Sequence, residues 1–344
     1  MGIFFTAIVI SFFVLFFMNV LFVILNLIFI STDGLQTYGL LNDRSFIDLI
    51  SVSVFFKWIL LGDAIWIIIA LMFAVKRKHY KTDEKFHYLK WHAISEPRIC
   101  VIVPAYNEEP IIEKVVKDYL NEDNVIEVLV INNHSTDKTA DIAEKCGAKV
   151  IRKERNTGYA DSCVMGFKES LKTNANILVL TEADGTFNSR DLSKMIPYLE
   201  NTDMVVGTRE IQVLSEKGNQ NKMFYVWGNF LLAKLLQMKY FSLLHMGVIS
   251  LTDVGCAYRC IRRDALEKII EQFTYPNSDK VIVKPKSGLF ALFMTTLGIR
   301  NDLRIVEVPV TFQKRVGISK TKSDKKLRAI RYGLEFFWYI LYND

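Results

Sequence analysis

Hydrophobic residues at the start of the chain form two long stretches, and each predicts a membrane-spanning helix. The first covers about residues 3–30, and residues 1–32 contain no charged side chain. The second covers about residues 47–75 and is interrupted by Lys57 and Asp63. About 20 consecutive apolar residues in a helix cross the hydrocarbon of a bilayer. We therefore expect a membrane anchor, with a basic linker, over residues 1–95.

The charges around these stretches predict an orientation. Acidic side chains, Asp33, Asp43 and Asp48, dominate the loop between the two stretches, whereas the basic run 76–78 follows the second one. Lysine and arginine are enriched on the cytosolic side of membrane proteins. The sequence therefore predicts an integral membrane protein of the cell membrane or endoplasmic reticulum, with everything after the second helix in the cytosol.

From Pro97 onward, short apolar runs alternate with helical periodicity. Strands are predicted at 98–103, 125–131, 149–151, 177–180 and 204–206, and helices at 109–120, 137–146, 160–172 and 189–199. Near-continuous hydrophobic strands separated by helices are typical of a mostly parallel sheet covered on both faces. We therefore predict an α/β, Rossmann-like domain over residues 96–320, with ligands bound beyond the carboxyl ends of its strands.

The end of the chain indicates contact with a lipid bilayer. Residues 321–344 are basic at first and then rich in aromatic side chains, which predicts an interfacial amphipathic tail. Residues 217–240 have a helical pattern that fits either the core or a membrane surface. The composition, 51% hydrophobic and 23% charged, agrees with a membrane part joined to a globular part. The net charge of only +6 gives no reason to expect nucleic acid as a partner.

Polar residues follow the first two predicted strands. Glu108 comes directly after the first strand, and Asn132 opens a polar turn after the second. Each loop alone could equally be a helix cap or a ligand-binding loop. In the first loop, Asn107 would be the capping residue. Because both lie on one edge of the sheet, a shared nucleotide pocket is the favoured interpretation.

Two carboxylates follow the fourth predicted strand. Glu182 and Asp184 are one residue apart, and Gly185 comes next. Carboxylate oxygens are the ligands that Mg²⁺ and Mn²⁺ prefer, and these cations bind diphosphates. An ordinary acidic turn closed by glycine is the alternative. The strand context and the neighbouring loops favour a metal site.

Six motifs occur in order along residues 98–320. They are VPAYNEE from Val103, NNHSTD from Asn132, EADGTF from Glu182, VGTR from Val206, TDVG from Thr252 and RVGISK from Arg315. Together they resemble the family 2 glycosyltransferases, especially the branch of dolichyl-phosphate mannose synthases and polyprenyl-phosphate glycosyltransferases. The resemblance implies a GT-A fold, inversion at the anomeric carbon and a divalent metal, Mg²⁺ or Mn²⁺.

The resemblance also implies a role for individual residues. The implied contacts of the nucleotide are Pro104, Tyr106, Glu108, Asn132, Glu182 and Asp184. The implied metal ligands are Asp184 and Glu182. The implied catalytic residues are Asp184, Asp253, Arg209 and Arg315. The implied contacts of donor or acceptor phosphate are Arg209, Arg315, Ser319 and Lys320.

Three positions depart from the family pattern. Asn132 stands where aspartate is frequent, and Glu182 stands at a metal position that is usually aspartate. The segment 287–290 replaces a frequent Glu-Met pair, so an acid on the acceptor side is expected to be missing.

The expected function is transfer of a sugar from a UDP- or GDP-sugar to a polyprenyl or dolichyl phosphate. A phosphate acceptor is already ionised near neutral pH and needs no strong base. If the acceptor is instead a hydroxyl of a lipid or lipid-linked glycan, a base is required and Asp253 is the candidate. A catalytically silent, nucleotide-sugar-binding membrane scaffold is the remaining alternative.

Overall fold

The structure is a computed structural model that describes residues 11, 14–22, 24, 54–76, 92–216, 223–240, 250–276, 278, 280–282, 288–316 and 326–342. The chain divides into two compact units. One comprises Met1–Tyr80, Met238–Met246 and Leu341–Asp344, and the other comprises Lys81–Gln237 and Gly247–Ile340.

A sheet of seven strands forms the centre of the second unit. Its strands are β1 (Ile99–Ala105), β2 (Val125–Asn132), β3 (Lys149–Arg152), β4 (Ile177–Leu180), β5 (Met204–Thr208), β6 (Arg259–Arg262) and β7 (Ile305–Pro309). The spatial order is β3-β2-β1-β4-β6-β5-β7. Only β6 pairs antiparallel to its neighbours, β4 and β5. The mostly parallel α/β sheet expected from the sequence is therefore confirmed.

One described helix precedes the sheet in the sequence, and the others lie between its strands or after the last one. They are α1 (Val54–Lys76), α2 (Ile112–Leu120), α3 (Thr139–Lys145), α4 (Tyr159–Ser170), α5 (Leu192–Met195), α6 (Met223–Lys239), α7 (Arg263–Ile269), α8 (Phe290–Arg300) and α9 (Lys326–Tyr342). Short 3₁₀ turns, Ser189–Asp191 and Ile196–Glu200, flank α5, so the single helix predicted at 189–199 is interrupted.

The central strands owe their burial to their composition. Every residue of β1, β4 and β5 is buried, as expected for apolar strands with both faces covered. Helix α4 packs closely on β1, and a Cβ at Gly166 would collide with the side chain of Ile102. Glycine at this position therefore allows the helix to approach the sheet.

The prediction of two transmembrane helices, and with it that of an integral membrane protein, is wrong. Among the described residues, no helix combines the length and the apolar character that a membrane crossing requires. Within α1 the longest uncharged stretch lies between Asp63 and Lys76, and its dozen or so residues fall short of about 20. Most of the first predicted span, 3–30, lies outside the described residues.

Candidate active site

The loops that carry the sequence motifs leave the sheet from one edge. Strands β1, β2 and β4 are parallel, so their carboxyl ends lie together. Because β6 is antiparallel to both β4 and β5, the carboxyl end of β5 and the start of β6 lie at this edge too. Strand β7 is parallel to β5 and ends there as well. The topology therefore gathers the sequence motifs into one region.

The loops after β1 and β2 are hydrogen-bonded to each other. Asn107 N donates to Ser135 Oγ (3.0 Å), and Asn107 Oδ1 accepts from Thr136 N (2.8 Å). Glu108 N donates to Thr139 Oγ1 (2.8 Å). Asn107 has a positive φ of 52°, a conformation that asparagine tolerates better than most residues. These bonds fix the backbone of Glu108 without using its carboxylate.

The residues expected to contact the nucleotide are brought together at the ends of β1 and β2. Pro104 is buried within β1, beside Ile131 of β2, and half-buried Tyr106 follows the strand. Asn132 is buried, and its Oδ1 accepts a hydrogen bond from Ser135 N (3.2 Å). The amide oxygen of Asn132 thus stabilises the turn by accepting the Ser135 N–H, as an aspartate oxygen at this position could also do.

The acidic pair after β4 is closely spaced and fixed by a threonine. Thr186 donates its N–H (3.1 Å) and its hydroxyl (2.6 Å) to Asp184 Oδ1. The Thr186 hydroxyl also lies 3.3 Å from Glu182 Oε2. Gly185 makes this turn with a φ of 74°. Burial, and then the charge of Asp184, raise the pKa of Glu182 to about 7.

Arg315 bridges two of these acidic loops. Its Nη2 donates to Glu108 Oε1 (2.9 Å), and its Nη1 lies 3.1 Å from Asp184 Oδ2. The guanidinium side chain is 29% exposed, and its buried Nε–H has no hydrogen-bond partner in the described part of the chain. We call Glu108, Glu182, Asp184 and Arg315 the Arg315 cluster.

A second ion pair lies beyond β5. Arg209 contacts Asp253 through Nε (2.7 Å to Oδ2) and Nη2 (2.8 Å to Oδ1), and its backbone N–H also donates to Asp253. The guanidinium carbon lies 5.5 Å from the centre of the Phe312 ring. Burial alone would raise the pKa of Asp253, but the charge of Arg209 and the hydrogen bonds from Arg209 and Gly255 together outweigh burial and hold that pKa below its ordinary value.

Two further carboxylates surround this ion pair and were not predicted from the sequence. Glu307 of β7 accepts the backbone N–H groups of Thr252 and Asp253 (2.8 to 3.0 Å). Glu210 follows Arg209 directly. Their signals were weak, because one is a single acid within an apolar strand and the other a single acid after a motif. We call Arg209, Glu210, Asp253 and Glu307 the Arg209 cluster.

The segment 310–316 connects the two clusters. Val310 N donates to the Thr208 carbonyl at the end of β5 (3.1 Å). Gln313 N donates to the Thr186 carbonyl (2.7 Å), and Val316 N to that of Asp184 (3.3 Å). Arg315 therefore owes its position to a backbone that is hydrogen-bonded on both sides. The expected phosphate contacts Ser319 and Lys320 lie outside the described residues.

Glu182 and Asp184 fit a divalent cation by their donor chemistry. Both are hard oxygen donors. Burial, and then repulsion from Asp184, raise the pKa of Glu182, and a bound cation would relieve the repulsion. Within the described ranges no group of three or more histidine, cysteine, aspartate or glutamate side chains could hold a metal ion. Mg²⁺ often binds through one or two carboxylates together with substrate phosphates, so a pair is sufficient.

Comparisons with known proteins agree with this geometry. Residues 100–270 match glycosyl transferase family 2. The polyprenol monophosphomannose synthase of Mycolicibacterium smegmatis is 26% identical over 231 residues, which cover 65% of this chain and 80% of the relative. The undecaprenyl-phosphate mannosyltransferase of Micrococcus luteus is 27% identical over 256 residues, which cover 70% of this chain and 96% of the relative.

Solved structures show a similar fold. One is the crystal structure of glucosyl-3-phosphoglycerate synthase from Mycobacterium tuberculosis in complex with Mn²⁺, uridine diphosphate and phosphoglyceric acid. The TM-score is 0.51 and the identity 16%, with 74% of this chain and 84% of that chain covered. At this identity the likeness concerns the fold alone.

Proposed function

Because the chain belongs to glycosyl transferase family 2 and is a glycosyltransferase, we propose that it transfers a sugar from a nucleotide-sugar to a polyprenyl phosphate. One observation carries the proposal. The acidic pair Glu182 and Asp184 lies with Arg315 and Arg209 at the carboxyl edge of one sheet. Carboxylates for a metal beside guanidinium groups for phosphate are what the transfer of a sugar from a diphosphate requires.

The donor nucleotide binds at the ends of β1 and β2. Glu108 and Asn132 supply acceptors for N–H and hydroxyl groups of base and ribose, and Tyr106 and Pro104 supply apolar contact. Asp184 and Glu182 would hold Mg²⁺ or Mn²⁺ through their carboxylate oxygens. When bound, the metal neutralises the negative charge that develops on the leaving diphosphate. The Mn²⁺ and uridine diphosphate in the structural neighbour support this assignment by analogy of fold.

Arg315 completes the binding of the diphosphate. Its guanidinium contacts Glu108 and Asp184, and its Nε–H lacks a partner among the described residues. A diphosphate offers more negative charge and better bidentate geometry than two separate carboxylates. Arg315 therefore exchanges Asp184 for phosphate oxygens when the donor binds, and it stabilises the leaving group during transfer.

The acceptor attacks the anomeric carbon from the side opposite the leaving group, so the configuration is inverted. The printed names of two relatives supply the class of acceptor, a polyprenyl phosphate. Such a phosphate needs no strong base, since its second pKa is about 6. This suits the site, because Asp253 is committed to Arg209 and a carboxylate with a lowered pKa is a poor base.

A transfer assay tests the proposal. Purified protein is incubated with Mn²⁺ or Mg²⁺, a panel of labelled UDP- and GDP-sugars, and a short polyprenyl phosphate. We expect a labelled lipid that mild acid hydrolyses, because a glycosyl phosphate is acid-labile. The Asp184→Asn variant should form none, whereas Glu271→Gln, a change at an exposed position, should match the wild type. An acid-stable product would contradict the phosphate acceptor and favour a hydroxyl acceptor.

A further inference from the structure

The two carboxylate oxygens of Glu210 differ in their hydrogen bonding within the described part of the chain. Its Oε1 accepts a hydrogen bond from Asn229 Nδ2 of α6 (3.2 Å). Its Oε2 is buried and accepts no hydrogen bond from any residue that the structure describes. By contrast, both oxygens of Asp253 accept from Arg209, and both oxygens of Glu307 accept from the segment 252–253. Among these three described carboxylates, only Glu210 retains an oxygen for a ligand.

We propose that Glu210 binds the phosphate of the acceptor and shares one proton with it. The inference rests on the proposed function and deepens it by assigning a residue to the acceptor. Glu210 follows Arg209 at the carboxyl end of β5, on the same edge as the acidic pair. It supplies the acceptor-side acid that the altered segment 287–290 was expected to lack.

The charges around Glu210 suit this role. Burial, and then the neighbouring carboxylate of Asp253, raise the pKa of Glu210 to about 7. That pKa already includes a smaller rise from Glu307 and the lowering by the Asn229 hydrogen bond and by the charge of Arg209, which is paired with Asp253. On α6, the nearby Lys234 donates to Gln237 and to the carbonyl of Leu251.

A phosphate monoester is a matched partner for such an acid. Its second pKa of about 6 lies close to that of Glu210, so one proton can be held between a carboxylate oxygen and a phosphate oxygen. In the transfer step, another phosphate oxygen forms a bond to the anomeric carbon, and the bond from that carbon to the diphosphate oxygen breaks. The leaving diphosphate takes the electron pair. The product phosphodiester is a weak base, so the proton stays on Glu210 until it returns to solvent.

Calorimetry can detect the shared proton. A water-soluble, short-chain polyprenyl phosphate is titrated into the full-length protein at pH 8, in two buffers with different ionisation enthalpies. At this pH free Glu210 and the free phosphate are mostly deprotonated, so the wild type should take up nearly one proton on binding. Glu210→Gln cannot hold that proton, and its uptake should fall to nearly zero. Its amide still donates a hydrogen bond, so we expect affinity to fall by less than about tenfold.

Two further measurements keep the inference open to disproof. Glu271→Gln, exposed on the surface, should take up protons as the wild type does. In the wild type alone, the dissociation constant of the acceptor should rise about tenfold per pH unit above pH 7, whereas that of the donor should not. Proton uptake by Glu210→Gln equal to that of the wild type, or a flat acceptor profile, would overturn the role of Glu210. If the wild type binds no polyprenyl phosphate, the proposed function itself fails.

Discussion

The two arginine clusters at the edge of the sheet are built in different ways. Arg315 reaches across two loops, makes one contact to each of two carboxylates, and is 29% exposed. Arg209 makes a bidentate pair with the fully buried Asp253 and is 13% exposed. The difference teaches that an ion pair in an active site can be either an exchangeable contact or a permanent part of the scaffold.

Physical chemistry assigns the two roles. A partly exposed ion pair contributes about 0 to 1 kcal/mol to stability, so a ligand can replace it at little cost. Removal of one partner of a buried pair leaves a charge uncompensated and costs about 3 to 5 kcal/mol. We therefore expect the pair of Arg315 with Asp184 to break when the donor binds, and the pair of Arg209 with Asp253 to persist.

The largest expected effect concerns the permanent pair. Arg209→Met should lower the free energy of unfolding by about 3 to 5 kcal/mol, because Asp253 remains charged and buried. Denaturant unfolding measures this loss. The double variant Arg209→Met with Asp253→Leu should regain most of it, since no lone charge remains. If the free energy of unfolding of Arg209→Met lay within about 1 kcal/mol of the wild-type value, the distinction between the two clusters would be lost.

The next effect concerns the acidic pair. Asp184→Asn should lower the rate of transfer at least about a hundredfold, because the metal loses a charged ligand. The free energy of unfolding should change by less than about 1 kcal/mol, because the amide oxygen can still accept the Thr186 N–H. Arg315 also retains its hydrogen bond to Glu108. Transfer rates and unfolding curves measured on one preparation test both parts. A large loss of stability would mean that Asp184 serves the scaffold rather than the reaction.

A smaller effect depends on pH. The pKa of Glu182 is raised from 4.5 to about 7 in the folded protein, so the folded state binds the proton more tightly than the unfolded state. The resulting contribution to folding stability is complete below pH 4.5 and is lost as pH rises through 7. Without metal, the free energy of unfolding of Glu182→Gln should therefore exceed that of the wild type by about 1 to 2 kcal/mol at pH 8, a figure reduced for solvent screening. At pH 4.5 the two free energies of unfolding should be equal. Equal differences at both pH values would contradict the raised pKa.

The sequence predicted the half of the site that is encoded locally. Strands β1, β2 and β4 are apolar runs that end in polar turns, so Glu108, Asn132 and the acidic pair could be placed at one edge. The bridge from Arg315 to Glu108 joins residues 207 positions apart and depends on the path of segment 310–316. Distant contacts of this kind leave no periodic signal.

The remaining errors also have physical causes. Strand β6 was not predicted because its four residues include Arg259, which is buried and bonded to Thr295 Oγ1 and the Cys256 carbonyl. Only tertiary partners make such an arginine acceptable in a core. The second predicted span failed for a different reason, because Lys57 and Asp63 divide its apolar stretch and leave an uncharged part of α1 that is too short to cross a bilayer.

The exchange of Arg315 between carboxylate and phosphate is tested most directly by Mn²⁺ binding, followed by electron paramagnetic resonance. Without nucleotide, Arg315→Gln should bind Mn²⁺ about tenfold more tightly than the wild type, because a cation no longer lies 3.1 Å from Asp184. With the nucleoside diphosphate of the active donor present, the order should reverse, since the variant has lost a phosphate contact. The same order of affinities in both conditions would contradict the exchange.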